Sequence, residues 1–160
     1  TAEQFDPQLN WGDVEWIKKR WGGKLILKGI MDAEDARLAV NSGADALIVS
    51  NHGGRQLDGA PSSIAALPHI AEAVGKNIEV WMDGGIRSGQ DVLKARALGA
   101  QGTLIGRSFL YGLGAYGEAG VTRALQIIQK ELDITMAFCG HTNINNVDRS
   151  VLLPGTIPTL

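Results

Sequence analysis

The sequence holds little of what marks secreted, membrane-spanning or nucleic-acid-binding proteins. Its one cysteine, Cys139, excludes a disulfide within the chain and is consistent with a reducing compartment. No apolar run approaches the ~20 residues that crossing a bilayer requires. With 15 basic and 17 acidic residues the net charge is -2, which provides no basic field for nucleic acid. We therefore expect a cytoplasmic protein with no nucleic-acid partner.

Glycine, by contrast, is abundant, with 21 among 160 residues, and many glycines follow apolar runs. One unit is repeated four times: a short apolar run, a glycine-rich turn and a helical stretch. Near-continuous apolar strands are typical of a parallel sheet that is covered on both faces. The predicted strands cover residues 25–27, 46–49, 78–82 and 103–105, and the predicted helices cover about 13–20, 33–42, 63–74, 89–98 and 118–137.

Residues that cap or interrupt helices support these boundaries. Asp32 and Ser88 stand where N-caps belong. The positions expected for left-handed C-caps hold Gly43, Gly75 and Gly99. Pro68 is expected to interrupt or split the helix predicted over 63–74.

Four βα units in series are compatible with half of a (β/α)8 barrel or with a small open sheet. The segments 39–46 and 95–102 repeat the same joint of helix end, Gly-Ala turn and strand, which favours the barrel. A half barrel alone leaves two sheet edges and an unfilled interior. We predict an α/β chain that forms the C-terminal half, the last four βα units, of a TIM barrel over residues 1–140. An irregular tail follows over 141–160, and the N-terminal half comes from the same gene product or from another chain.

The loops after the third and fourth strands suit a phosphate group. They read Asp83-Gly84-Gly85-Ile86-Arg87 and Gly106-Arg107. Glycines let backbone N–H groups approach an anion, and arginines add charge-assisted donors. Barrel enzymes often bind phosphate with the loops after strands seven and eight, which are the positions expected here.

The ends of the first two strands carry groups suited to acid–base chemistry. His52 follows the second strand and could take a proton near neutral pH, and Arg55 could bind a carboxylate with two hydrogen bonds. Lys28 ends the first strand and needs an anionic or electron-rich partner. Asp83 could orient the imidazole. Taken in isolation, His52 and Arg55 would more often be a structural histidine and a surface arginine, but their position between Lys28 and the two glycine loops favours a functional role. No metal site is expected, because Cys139 and His141 are too few ligands.

These motifs resemble those of the FMN-dependent α-hydroxy acid oxidising family, which includes glycolate oxidase, L-lactate oxidase and dehydrogenase, and mandelate dehydrogenase. The matching runs are Leu27-Lys28-Gly29-Ile30, Ser50-Asn51-His52-Gly53-Gly54-Arg55-Gln56-Leu57-Asp58, Asp83-Gly84-Gly85-Ile86-Arg87-Ser88-Gly89 and Gly106-Arg107. The resemblance covers about residues 4–140 and is most specific in the run that contains His52.

The resemblance implies a role for each residue at the strand ends. Lys28 would stabilise negative charge at the N1/O2 edge of the flavin, and Ser50 would touch the isoalloxazine. His52, beside the flavin, would be the catalytic base, paired with Asp83, and Arg55 would bind the substrate carboxylate. The FMN phosphate would be held by the segment 83–87, including Asp83, Gly84, Gly85 and Arg87, together with Gly106 and Arg107.

The implied reaction is the FMN-dependent oxidation of a small (S)-2-hydroxy acid, such as lactate, glycolate or mandelate, to the 2-oxo acid. The resemblance also implies a homotetramer, with association at the inner face of a membrane in some cases. The chain alone is expected to bind FMN poorly and to lack turnover. Two alternatives stay open: another FMN or phosphate barrel, like type 2 isopentenyl diphosphate isomerase or IMP dehydrogenase, or a non-catalytic barrel fragment.

Overall fold

The computed structural model describes residues 6–157 and contains four βα units in sequence, preceded by a helix. The elements are α1 Trp11–Trp21, β1 Ile26–Ile30, α2 Ala33–Asn41, β2 Ala46–Val49, α3 Ser63–Val74, β3 Glu79–Met82, α4 Gly89–Ala97, β4 Gly102–Thr103 and α5 Arg107–Phe138. Short 3-10 turns occupy His52–Gly54, Ile144–Asn146 and Arg149–Val151. None of the helices in this part of the chain is both long and apolar enough to cross a membrane.

The sheet has the order β1-β2-β3-β4, and all neighbouring strands are parallel. This confirms the predicted α/β class with four parallel strands. β1 and β4 each have one open edge within residues 6–157, so the sheet does not close on itself there. Because the strands are parallel, their C-terminal ends lie along one rim, here called the upper rim, and their N-terminal ends along the opposite, lower rim.

The core lies where the helices cover the central strands. β2 is buried along its whole length, and Leu47, Val49 and Val80 are fully buried. Leu67 and Ile70 of α3 pack in the same cluster. Burying each large apolar side chain contributes about 1.5–3 kcal/mol to the free energy of folding, so this packing is the main source of stability.

The last segment of the chain packs on α4. Leu93 and Ala97 of α4 form a second apolar cluster with Val147. The Arg96 guanidinium donates hydrogen bonds to the carbonyl oxygens of Ile144 and Asn145, both at 3.1 Å. Residues 141–157 therefore lack long helices or strands but are tied to the fourth unit.

The largest difference from the sequence prediction concerns α5. The helix begins at Arg107 and not at 118, and it breaks at Tyr116 and Gly117, where Gly117 has φ +57°. The prediction missed the segment before the break because its glycines lower helix propensity. The close approach of Gly112 and Gly120 explains two of the glycines: a Cβ on Gly120 would lie 1.9 Å from the Gly112 carbonyl oxygen.

The predicted caps were partly right. The side chains of Asp32 and Ser88 accept backbone N–H groups at the starts of α2 and α4, as predicted. The prediction of a left-handed C-cap at Gly75 was wrong, because its φ of -62° is right-handed. Gly43 and Gly99 have the predicted positive φ. The expected interruption at Pro68 was also wrong.

α3 runs unbroken through Pro68, although a proline inside a helix removes one N–H donor and crowds the preceding turn. Two strand ends also differ from the prediction. β4 covers only Gly102–Thr103, while β1 extends to Ile30. The strand ends that carry the polar residues are nevertheless on the predicted rim.

Candidate active site

Three of the predicted site residues meet at the upper rim. Lys28 was predicted to end the first strand but lies in the middle of β1, and its ammonium donates a hydrogen bond of 2.9 Å to the Ser50 hydroxyl. The same ammonium lies 3.1 Å from one carboxylate oxygen of Asp83, after β3. Side chains from three adjacent strands or the loops that follow them are thus linked into one polar group.

Ser50 joins this group to the loop that carries His52. It is fully buried, and its Oγ accepts both the Lys28 ammonium and the backbone N–H of His52, the latter at 3.1 Å. The Ser50 hydroxyl thereby links the Lys28 ammonium to the backbone of the His52 loop.

His52 has an unusual backbone conformation. Its φ of +55° is the one positive value for a non-glycine residue in the described part of the chain. Such a conformation costs energy and tends to occur at functional sites. The imidazole lies against Gly29, where the register of β1 shifts, and a Cβ on Gly29 would lie 2.6 Å from the His52 Cε1. Gly29 therefore provides the space that the imidazole occupies.

The Asp83 carboxylate is only half satisfied. Its Oδ2 contacts Lys28, whereas its Oδ1 is buried and has no hydrogen-bond partner among the described residues. The expected pairing of Asp83 with His52 is not present in this structure, because the Lys28 ammonium lies against the carboxylate while the imidazole lies over Gly29. A buried oxygen without a partner costs free energy unless a ligand or a rearranged side chain supplies a donor.

The two glycine loops offer free donors at the same rim. Within residues 6–157, the backbone N–H groups of Gly84, Gly85 and Gly106 donate no hydrogen bond. A Cβ on Gly85 or Gly106 would meet no atom within 4 Å, so the backbone there is open to a ligand. Gly106 also leaves the start of α5 without a side-chain cap. Exposed N–H groups at a helix start are favourable for anions.

Arg87 and Arg107 add positive charge to these loops. Both are exposed, and neither forms an ion pair in the described part of the chain. Arg107 reaches the His52 loop, since a Cβ on Gly53 would lie 3.6 Å from its Nη2. The start of α4 is different, because the Asp91 carboxylate already accepts the N–H groups of Arg87 and Ser88, both at 3.0 Å. This donor set fits a phosphate held by the glycines of the loop and by the start of α5.

Arg55 lies directly after the 3-10 turn that contains His52. It is exposed and forms no ion pair among residues 6–157. Its charge is therefore available to an anionic ligand at the rim.

One site residue was missed from the sequence. Ser63, the first residue of α3, turns its hydroxyl to the His52 loop and accepts the N–H of Asn51 at 3.1 Å. The sequence offered only a helix start at this position. The contact depends on how α3 sits on the sheet, which no local pattern specifies.

Comparison with known proteins agrees with this geometry. A family model described as FMN-dependent dehydrogenase matches residues 1–154. The chain is 53% identical over 148 residues to an L-lactate dehydrogenase of Caulobacter sp. (strain K31), covering 92% of this chain and 39% of that protein. It is 51% identical over 152 residues to an L-lactate dehydrogenase of Pseudomonas syringae pv. syringae (strain B728a), covering 95% of this chain and 40% of the relative.

Solved structures give the same result. A mandelate oxidase variant with a monooxide FMN adduct superposes with a TM-score of 0.86 at 44% identity, covering 91% of this chain and 46% of that one. The monotopic membrane protein (S)-mandelate dehydrogenase gives 0.87 at 42% identity, covering 94% and 40%. The chain thus spans less than half the length of each of these proteins.

Proposed function

Because this chain belongs to the FMN-dependent dehydrogenase family, we propose that it supplies the C-terminal half of an enzyme that oxidises a small (S)-2-hydroxy acid to the 2-oxo acid. The observation that carries the proposal is the polar group of Lys28, Ser50 and Asp83 beside His52 at the upper rim. Relatives that are L-lactate and mandelate enzymes support this substrate class. Lactate and mandelate both carry a hydroxyl on the carbon next to a carboxylate.

The residues at the upper rim fit FMN. The free N–H groups of Gly84, Gly85 and Gly106, with the Arg87 and Arg107 guanidiniums, would hold its phosphate. The Lys28 ammonium would contact the N1/O2 edge of the ring and favour negative charge there. When bound, FMN accepts the two electrons that leave the substrate.

The substrate would be held and deprotonated by the His52 loop. The exposed Arg55 guanidinium binds the carboxylate through charge-assisted hydrogen bonds. His52 takes a proton from the 2-hydroxy acid. Asp83 stabilises the resulting imidazolium through its unpartnered Oδ1, which requires His52 to turn from Gly29 towards the carboxylate.

The rest of the barrel would complete the site. We propose that an N-terminal half, from the same gene product or another chain, pairs with the open edges of β1 and β4. Assembly as a homotetramer, and a location in the cytoplasm or at the inner face of a membrane, are further parts of the proposal. The monotopic membrane relative supports the membrane location.

The experiment compares residues 1–160 alone with a complete protein, made by fusing the chain behind the remaining part of the Caulobacter relative. We expect the isolated chain to be colourless. The fusion should retain FMN and lose its yellow flavin absorbance when L-lactate or (S)-mandelate is added without oxygen.

Two results would contradict the proposal in different ways. Stoichiometric FMN on the isolated chain would show that the described half is a complete cofactor site. A yellow fusion that neither acid bleaches would refute hydroxy acid oxidation and favour a non-catalytic barrel.

A further inference from the structure

The Ser63 hydroxyl is buried but is not explained by helix formation. Ser63 is 1% exposed, and its Oγ accepts the backbone N–H of Asn51, 12 residues earlier. The residue at the N-cap of α3 is Ser62, and Ser63 does not cap the helix. Alanine would serve the helix at least as well. The hydroxyl therefore serves the loop and not the helix.

The Asn51 side chain fixes the same loop from a second direction. Its Nδ2 donates to the Pro61 carbonyl at 3.2 Å, and its Oδ1 accepts the Gly53 N–H at 3.0 Å. The N–H of His52, between them, is bound by Ser50. Three successive backbone N–H groups, of residues 51, 52 and 53, thus each have a side-chain acceptor.

These contacts hold a conformation that the loop would otherwise leave. His52 has φ +55°, which residues with a side chain adopt only when the surroundings enforce it. Fixing the N–H groups on both sides of His52 removes the rotations by which its backbone could relax. The direction of the imidazole follows from this backbone.

The same two residues also contact the loop that contains Asp83. A Cβ on Gly84 would lie 2.8 Å from the Ser63 Oγ and 3.1 Å from the Asn51 Oδ1. Gly84 therefore packs its backbone directly against both polar groups. The position of the His52 loop is set relative to the loop that carries Asp83 and the phosphate-binding glycines.

We propose that Ser63 and Asn51 are positioning residues for His52, and this inference rests on the proposed role of His52 as the base. They act through the backbone of residues 51–53. The consequence is that the rate of the chemical step depends on a hydroxyl at the start of α3.

The test uses the fusion described above, with Ser63→Ala as the main variant and Ser63→Thr as the variant that keeps the hydroxyl. We expect Ser63→Ala to lower kcat per bound FMN about 10-fold, since small displacements of a catalytic group cost one to two orders of magnitude in rate. FMN content and the KM for L-lactate should change little, because Arg55 and the glycine loops are not altered. The deuterium isotope effect on kcat with 2-deuterated L-lactate should rise as C–H cleavage becomes slower. Ser63→Thr should restore most of the rate.

Ser42→Ala is the matched control, because Ser42 is also buried, at 6% exposure, but ends α2 away from the upper rim. Its kcat and isotope effect should equal those of the wild type. If Ser63→Ala does not fold, Asn51→Asp is used to test the inference instead. It keeps the acceptor for Gly53 and loses the donor to Pro61, so kcat per FMN should fall several-fold.

Wild-type kcat and isotope effect in Ser63→Ala would overturn the inference, as would equal losses in the alanine and threonine variants. If Asn51→Asp is the only variant that folds, a wild-type kcat in that variant would also overturn the inference. A wild-type fusion that holds FMN but is not reduced by either acid would instead overturn the proposed function, and the inference with it.

Discussion

The two rims of the sheet each hold a group of lysine and aspartate residues, but their carboxylates differ. At the lower rim, Asp45 precedes β2 and accepts the ammonium groups of Lys18 and Lys24 and the Leu25 N–H. At the upper rim, Asp83 contacts Lys28 through one oxygen and leaves the other buried without a partner in residues 6–157. One carboxylate is satisfied by the chain itself, and the other is not.

This difference supports the proposed division between a structural role for Asp45 and a functional role for Asp83. The contacts of Asp45 join α1 to the starts of β1 and β2. Hydrogen bonds from Lys18, Lys24 and the Leu25 N–H hold the pKa of Asp45 well below its ordinary value. The hydrogen bond between Lys24 and Asp45 also raises the pKa of Lys24. In (β/α)8 barrels the lower rim serves stability and the upper rim carries the chemistry. The unpartnered oxygen of Asp83 at the upper rim is consistent with this division between stability and chemistry.

The largest expected effect comes from His52 at the upper rim. His52→Ala should slow anaerobic reduction of FMN by L-lactate about 10²- to 10⁴-fold, the range typical for loss of a general base. Stopped-flow absorbance of the fusion measures it. His69→Ala, which alters an exposed histidine on α3, is the control and should reduce at the wild-type rate. Near-normal reduction of FMN in His52→Ala would show that His52 is not the base, and the upper rim would then have no proposed catalytic group.

An intermediate effect is expected for Arg55. Arg55→Met should raise the KM for L-lactate about 10- to 100-fold, because hydrogen bonds between charged groups contribute about 1.5–3 kcal/mol. Steady-state kinetics of the fusion measures this value. Arg37→Met, on the exposed face of α2, should leave KM unchanged. An unchanged KM in Arg55→Met would show that Arg55 does not bind the substrate carboxylate.

The smallest effect on turnover is expected at the lower rim. Asp45→Asn should leave FMN reduction at the wild-type rate and lower the Tm of the fusion by a few degrees. Because folding lowers the pKa of Asp45 from 3.8, its contribution to stability is present above that pH and is lost as the pH falls towards the folded-state pKa. The Tm difference between wild type and variant should therefore narrow below about pH 4. A slowed reduction in Asp45→Asn would show that the two rims are coupled.

Local sequence signals predicted the positions of the polar residues but not all of their contacts. Apolar runs ending in Lys28 and in the loops with His52 and Asp83 were sufficient to place all three on one rim, because parallel strands end together. Which anion Lys28 contacts, and which way the His52 imidazole points, depend on side-chain rotamers across three strands. The contact between Ser63 and Asn51 depends on the docking of α3.

Glycine misled the prediction in one place and helped in another. It suggested loops and strand ends correctly at Gly84 and Gly85, where φ is positive. Before the break in α5 the same signal concealed a helix, because there the absence of a side chain serves close packing of Gly112 against Gly120. Both uses of glycine look alike in one sequence.

The two sheet edges that are open within residues 6–157 have a consequence for any preparation of this chain by itself. In a preparation of residues 1–160 alone, β1 of one molecule and β4 of another present rows of backbone N–H and C=O groups, so we expect the isolated chains to add to each other at these edges. Such head-to-tail addition gives a ring when the rotation closes and a filament when it does not. In the fusion, the proposed N-terminal half would pair with both edges instead, so the fusion should not assemble in this way.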